Sequence, residues 1–248
     1  MGMTRKQTWT LVLTAVMSLM VALDLLVVTT ALPMLREHLH ASLAQLEWTI
    51  NGYTLSLAVL LMSGAAIGER YGRRLTLATG LVLFAASSAA CALAPTVGWL
   101  IAARVVQGVG AALVMPNALS LLGVAFPPER RAWALGIFGA ITGVAVLGGP
   151  VIGGAIAQGI AWQWIFWVNV PIGLAAVPLV LTKIEESRGE RRAADLVGVA
   201  LVTLAALGVV WGLVRSGSAG WGSVEVIATL AGGIVITFAK EILSVITG

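Results

Sequence analysis

Long apolar runs separated by short polar segments make up most of this chain. A helix needs about 20 mostly apolar residues to cross the roughly 30 Å hydrocarbon core of a bilayer. Eight runs approach that length, whereas strands of a membrane β-barrel would show segments of about 10 residues with alternating polarity. The pattern therefore predicts an all-α membrane protein. The predicted spans are residues 9–32, 49–67, 75–93, 97–121, 132–157, 164–181, 196–214 and 224–238.

Composition agrees with this interpretation. Of the 248 residues, 59% are hydrophobic and only 10% are charged, which leaves too little polar side chain to cover a soluble globule. Cys91 is the only cysteine, so no internal disulfide forms, and we expect it to be an ordinary buried side chain. The sequence has no cluster of metal ligands, no nucleophile–base set and no phosphate-binding loop. We therefore expect no metal, no other cofactor and no enzymatic activity.

Basic residues predict the orientation of the spans. If the N-terminus is cytoplasmic, twelve of the fifteen Lys and Arg residues lie on that side, Arg36 and Arg215 lie outside, and Arg104 lies within a span. Cytoplasmic loops carry such an excess, and the net charge of +4 is explained by this topology and by anionic lipid rather than by nucleic acid. The cytoplasmic set is Arg5, Lys6, Arg70, Arg73, Arg74, Arg130, Arg131, Lys183, Arg188, Arg191, Arg192 and Lys240.

One long polar segment divides the chain. Residues 183–195 carry charges of both signs and have little to bury, and they separate six spans from two. The predicted organisation is a six-helix N-terminal bundle (1–182), a cytoplasmic linker (183–195), two additional transmembrane helices (196–239) and a C-terminal tail (240–248).

Two charges lie inside predicted spans. A charged side chain near the bilayer centre costs about 2.5–3.5 kcal/mol even on the lower scales, so Asp24 and Arg104 should face an interior cavity or a partner. Asp24 can bind a proton or a cationic substrate; the alternative is a helix-end carboxylate beneath the outer headgroups. Arg104 can hold a carboxylate or an anionic group; the alternative is a structural arginine that bonds carbonyls between helices. Gln107 lies about one helical turn from Arg104.

The fifth span is rich in glycine and contains Pro150. Small residues allow close helix approach, and proline removes a backbone hydrogen bond. Composition alone leaves two interpretations open, a pliable helix and ordinary tight packing.

Several stretches together resemble the major facilitator superfamily, specifically the drug:proton antiporters with fourteen membrane helices. Residues 23–33 (LDLLVVTTALP) are similar to the first-span pattern LDxTIVNVALP, and residues 65–77, which include GERYGRR, to the loop pattern GxLaDRxGRkxxl. Residues 100–112 fit the fourth-span pattern LxxxRxxQGxGaa. Residues 162–173 (WQWIFWVNVPIG) are similar to WRWIFxiNvPiG.

The resemblance implies proton-driven export of small lipophilic or cationic compounds by alternating access. The fold expected from it is the six-helix N-terminal bundle with two extra helices, in a bacterial inner membrane, with the proton gradient as energy source. It implies three groups of site residues. They are proton and substrate coupling (Asp24, Arg104, Gln107), a cytoplasmic gate that forms in the outward-facing state (Glu69, Arg70, Gly72, Arg73, Arg74), and an antiporter helix (Gly136, Ala145, Gly149, Pro150, Gly153, Gly154).

The second six-helix half of that family is absent from the sequence. Coupled transport would then require a second copy, a separate C-terminal half or a longer parent protein, alongside the lipid bilayer and a small-molecule substrate. The alternative is a membrane fragment that does not transport, or a half that binds a partner.

Overall fold

The computed structural model describes residues 2–189 and 196–247 and is helical throughout most of those ranges. Arg191 and Arg192 of the predicted linker lie outside the described residues, as does the side chain of Lys240. The helices are α1 (Arg5–Leu39), α2 (Leu43–Tyr71), α3 (Arg73–Ala92), α4 (Val97–Ala125), α5 (Pro128–Gly159), α6 (Trp164–Trp167), α7 (Asn169–Lys183), α8 (Leu196–Ala219) and α9 (Val224–Thr247).

Seven helical segments among the described residues are long and apolar enough to cross a membrane, if α6 and α7 count as one segment, Trp164–Lys183. The described part of α9 adds a shorter apolar helix, Val224–Ile236. The all-α membrane prediction is therefore confirmed, with about two helices beyond the first six. The backbone of residues 240–247, which the sequence led us to expect as a separate tail, continues α9.

The first helix is longer than predicted. The predicted first span ends at residue 32, immediately before Pro33, but α1 continues through Pro33 to Leu39. Proline removes one backbone N–H donor and crowds the carbonyl four residues earlier, and membrane helices tolerate this when neighbouring helices hold them. His38 therefore lies in the last turn of α1, and His40 caps the helix in the left-handed conformation, with φ 48°.

The sixth span is broken near its N-terminal end. Four residues form α6, and α7 begins at Asn169 after the capping residue Val168. The break is useful because it places the first residue of α7, a polar amide, in the protein interior.

The core lies where α4 packs against α2 and α3. A side chain at Gly64 of α2 would collide with the carbonyl of Ala112 on α4. A side chain at Gly110 of α4 would lie 2.8 Å from the backbone nitrogen of Phe84 on α3. Glycine thus allows backbone-to-backbone packing on both sides of α4, which fixes the arginine-bearing helix at the centre of the bundle.

The two additional helices pair with each other, and α8 packs against α2. The Oγ atom of Ser63 and the Oγ1 atom of Thr203 are 2.7 Å apart. The rings of Trp48 and Trp211 lie with their centroids 5.7 Å apart. These contacts attach the α8–α9 pair to the outer side of α2, away from the buried charges.

Candidate functional site: a buried carboxylate network

The two charges predicted inside the membrane meet in the interior. Asp24 lies in the middle of α1 with 2% of its surface exposed, and Arg104 of α4 is fully buried. Arg104 Nη1 donates a hydrogen bond to Asp24 Oδ2. Asp24 is therefore not a helix-end carboxylate beneath the headgroups. The pairing offsets the penalty of burying either charge alone.

Two amides donate to the other carboxylate oxygen. Gln107 Nε2 lies 2.9 Å and Asn169 Nδ2 lies 2.7 Å from Asp24 Oδ1. Gln107 also accepts from Arg104 Nη1 at 2.7 Å and donates to Ser88 Oγ at 2.6 Å. Asn169 lies 3.4 Å from the same hydroxyl. Asp24 thus accepts three hydrogen bonds from two helices, and the serine ties α3 to both amides.

Aromatic rings enclose the guanidinium of Arg104. Its Cζ lies 4.1 Å from the centroid of the Tyr53 ring and 5.8 Å from that of Phe166. Its Nε donates to the carbonyl of Thr49 at 3.1 Å. The buried Nη2 atom has no hydrogen-bond partner among the described residues, so the aromatic faces provide the remaining favourable environment for the cation. Arg104 therefore bonds both a carboxylate and an interhelical carbonyl.

Asp24, Arg104 and Gln107 were predicted site residues, whereas Asn169 and Ser88 had no predicted role. In the sequence, Asn169 was noted only as part of the 162–173 motif. It could have been predicted in the same way as Asp24, because it is a polar side chain within an apolar span. Ser88 carries no comparable signal, because serine often bonds its own helix backbone.

This arrangement can respond to a single proton. An ionised carboxylate only accepts hydrogen bonds, whereas a protonated one also becomes a donor. Protonation of Asp24 would remove the charge that pairs with Arg104 and would weaken the hydrogen bonds that the carboxyl group accepts. The chemistry available is therefore reversible protonation that alters contacts among α1, α3, α4 and α7.

The predicted gate residues surround the turn between α2 and α3. Gly72 has φ 116°, a conformation that L side chains rarely adopt. Glu69 and Arg73 form an ion pair at 3.5 Å, and the guanidinium of Arg70 lies 5.2 Å from the Tyr71 ring. The contacts of Arg73 and Arg74 beyond this turn are with residues at and beyond the end of α7 in the same chain.

The predicted antiporter helix divides into two faces. Ala145, Gly149 and Gly153 are buried. A Cβ at Gly149 would lie 3.0 Å from the Leu26 side chain, and one at Gly153 would lie 2.6 Å from Thr30 Oγ1. The structure therefore packs this stripe on α1, beside Asp24.

The remaining members of the predicted set do not belong to that contact. A Cβ added at Gly136 or at Gly154 would meet no atom within 4 Å among the described residues, and Pro150 is exposed. Exposed apolar side chains also occur on α5, among them Leu147 and Val151. The structure thus brings only half of the predicted stripe to α1.

Comparison with known proteins decides the family. The sequence model described as the Major Facilitator Superfamily matches residues 14–247, which is nearly the whole chain. The chain belongs to the major facilitator superfamily. The described helices do not establish the fourteen-helix subdivision.

Relatives within the superfamily are much longer than this chain. The tetracenomycin C resistance and export protein of Streptomyces glaucescens is 40% identical over 234 residues, which cover 93% of this chain and 44% of the relative. The multidrug resistance protein Stp of Mycobacterium tuberculosis is 38% identical over 230 residues, which cover 92% of this chain and 43% of the relative. The chain therefore spans less than half the length of these curated relatives.

The superfamily fold is also found among solved structures. A crystal structure of the peptide transporter POT in complex with sulfate superposes with a TM-score of 0.66 and 17% sequence identity, covering 96% of this chain and 52% of the other. At this identity the likeness concerns the fold alone.

Proposed function

We propose that this chain takes part in proton-coupled export of small lipophilic or cationic compounds by alternating access. The observation that carries the proposal is the buried network in which Asp24 binds Arg104, Gln107 and Asn169. The names of the two relatives, one for tetracenomycin C export and one for multidrug resistance, support the substrate class. Membership of a transporter superfamily favours transport over enzymatic activity.

In the proposed mechanism Asp24 carries the proton. A cationic compound that approaches the ionised carboxylate competes with the proton for the same charge, so only one of them occupies the site at a time. Exchange of one for the other changes the contacts of Arg104 and of the amides that hold α4 and α7. Opposite sides of the membrane would then load the proton and the compound in turn.

Alternating access also needs a second wall for the cavity. We propose that a second six-helix unit supplies it, either as part of a longer protein, as a separate half or as a second copy of this chain. Apolar side chains exposed on α5, among them Leu147 and Val151, provide surface that such a unit or lipid would cover. The second candidate function is a half that inserts and binds a partner without transport of its own.

The proposed setting is the bacterial inner membrane with the N-terminus in the cytoplasm. The basic residues on the proposed inner side support it, since positively charged loops remain inside. The proposed contacts are lipid and a small molecule, with no nucleic acid and no cofactor, and the proton gradient supplies the energy.

The test is flux of a fluorescent cationic dye in proteoliposomes with an imposed pH gradient. Asp24→Asn keeps the size of the side chain but removes the charge, and we expect it to abolish gradient-driven flux. Glu47→Gln, which neutralises an exposed carboxylate on α2, should leave flux unchanged. Gradient-driven flux that survives Asp24→Asn would refute the role of Asp24.

A second measurement separates the two candidate functions. The mass of the protein particle in detergent gives the number of copies of the chain, which is then compared with the flux measured in proteoliposomes. Two copies with flux support a half-transporter that pairs with itself. A monodisperse monomer without flux supports the partner-binding half.

A further inference from the structure

Helix α3 begins without a cap of its own. The first backbone N–H groups of a helix have no partner within it, and a Ser, Thr, Asp or Asn side chain at the preceding position usually accepts from one of them. The preceding residue here is Gly72, which has no side chain. The donors at the start of α3 therefore need acceptors from elsewhere in the protein.

The chain after α7 supplies those acceptors. The carbonyl of Ser187 accepts from the backbone nitrogen of Arg73 at 2.9 Å. The carboxylate of Glu186 accepts from the backbone nitrogens of Arg74 at 2.9 Å and of Leu75 at 3.3 Å. A negative charge at this position is also favoured by the helix dipole. Residues more than 100 positions away in sequence thus cap α3.

The contact is reciprocal. The Nη1 atom of Arg74 donates to the carbonyls of Leu181 at 3.1 Å and Ile184 at 3.2 Å, at the C-terminal end of α7. The Glu186 carboxylate, which follows α7, therefore caps the start of α3. The Arg74 guanidinium, at the start of α3, caps the end of α7. Each side chain satisfies backbone groups that the other helix leaves without partners.

Further contacts join the same segment to α2. The backbone nitrogen of Gly189 donates to the carbonyl of Glu69 at 3.1 Å, and Arg73 Nη1 donates to Ser187 Oγ at 3.0 Å. A Cβ at Gly72 would lie 2.7 Å from the Glu186 carboxylate. Glycine at position 72 therefore provides both the positive φ of the turn and the space for the capping carboxylate.

We infer that residues 184–189, which we call the clamp segment, fix the α2–α3 turn to the cytoplasmic end of α7, with Glu186 as the residue that positions the turn. The clamp segment engages Arg73 and Arg74 within this six-helix unit and leaves Arg70, which is exposed, available to face a partner. This inference goes beyond the proposed function and does not depend on transport.

The same two helices also meet at the buried network, where Ser88 of α3 lies 3.4 Å from the amide of Asn169 on α7. The clamp segment therefore holds a helix pair that is already joined at the level of Asp24. Loss of the clamp should loosen the turn without disturbing the network.

A disulfide between Glu69→Cys and Gly189→Cys reports clamp closure, since a Cβ at residue 189 would lie 3.0 Å from that of residue 69. The native Cys91 is fully buried and does not compete. We expect Glu186→Ala to slow disulfide formation about tenfold, given the strength of hydrogen bonds to a charged acceptor. Glu185→Ala removes a neighbouring carboxylate of the clamp segment that pairs with Lys6 of α1 and not with the α2–α3 turn, so it should leave the rate unchanged.

Hydrogen exchange gives a second readout on the otherwise unmodified full chain. We expect the amides of Arg74 and Leu75 to exchange about tenfold faster in Glu186→Ala, and less so in Glu186→Gln, which keeps the size of the side chain and one acceptor. The amide of Trp99, capped by the side chain of Thr96 at the start of α4, is the internal reference and should not change.

If Glu186→Ala does not yield monodisperse protein, Glu186→Gln is used for both the disulfide and the hydrogen-exchange measurements. Equal effects of the Glu185 and Glu186 variants, or no effect of either, would overturn the inference. Because neither readout requires a transported compound, failure of the proposed function leaves this test intact.

Discussion

Replacement of Asn169 by alanine should raise the fraction of molecules in which the buried network is open. Its Nδ2 atom donates to Asp24 Oδ1 at 2.7 Å, and both residues are buried. Removal of this donor leaves Asp24 with two of its three hydrogen bonds in a region that water does not readily reach. The contact between α1 and α7 at this depth is then weakened.

The size of the effect follows from the charge on the acceptor. A hydrogen bond to a charged group contributes about 1.5–3 kcal/mol. At about 1.4 kcal/mol for each factor of ten, the open fraction should rise about 10- to 100-fold. Asn169→Leu, which fills a similar volume without a donor, should give a similar increase, because the loss is of a hydrogen bond rather than of packing.

Cys91 offers the assay. It is the only cysteine, it is fully buried, and its Sγ atom lies 3.6 Å from Gln107 Oε1. Its rate of reaction with a maleimide therefore reports how often the network opens, provided that closing is fast relative to labelling. Labelling of purified protein in nanodiscs should be about 10- to 100-fold faster in Asn169→Ala and Asn169→Leu.

The matched control is Asn51→Ala. Asn51 is a half-buried amide on α2 for which the described part of the structure gives no hydrogen bond, so its removal should leave labelling unchanged. Labelling of both Asn169 variants at the wild-type rate, with protein that remains folded by circular dichroism, would refute the role of Asn169 as a donor to Asp24.

Glycine substitutions test two close contacts of the helices. Gly153→Val should separate α5 from α1, because its side chain would enter the space of Thr30, and the melting temperature in detergent should fall; Gly154→Val, which points into open space, is the control. Gly72→Ala should destabilise the α2–α3 turn by about 1–3 kcal/mol, because φ is 116° there and the added Cβ would lie 2.7 Å from the Glu186 carboxylate; Gly98→Ala, at an unobstructed position in α4, should not. Equal melting temperatures within either pair would contradict the corresponding contact.

Hydrophobic run length predicted the fold well because the bilayer fixes the length of a span. It could not predict where helices end, since polar segments can continue as helix beyond the hydrocarbon. For this reason α1 passes through Pro33 to Leu39. The break in the helix before Asn169 could not be predicted from the sequence either, because an apolar run has the same composition whether its helix is straight or interrupted.

The charged members of the network could be predicted because burial of a charge in a membrane requires a partner. Asp24 and Arg104 were each expected to face an interior cavity or a partner, but the sequence did not pair them with each other. Asn169 and Ser88 could not be assigned in the same way, because a neutral amide or hydroxyl within a span has several ways to satisfy its hydrogen bonds. The contacts of Arg73 and Arg74 with the clamp segment depend on the fold, which brings together residues more than 100 positions apart.

The network and the clamp segment act on the same pair of helices at different depths. Near the middle of the bundle, Ser88 and Asn169 link α3 to α7 through groups that also bind Asp24. Where α3 begins and α7 ends, Glu186 and Arg74 link the same helices through reciprocal caps. A change in protonation at Asp24 would alter only the first of these links. Because these two helix ends stay joined, α3 and α7 would respond as a pair rather than separate, and the α2–α3 turn would move with them.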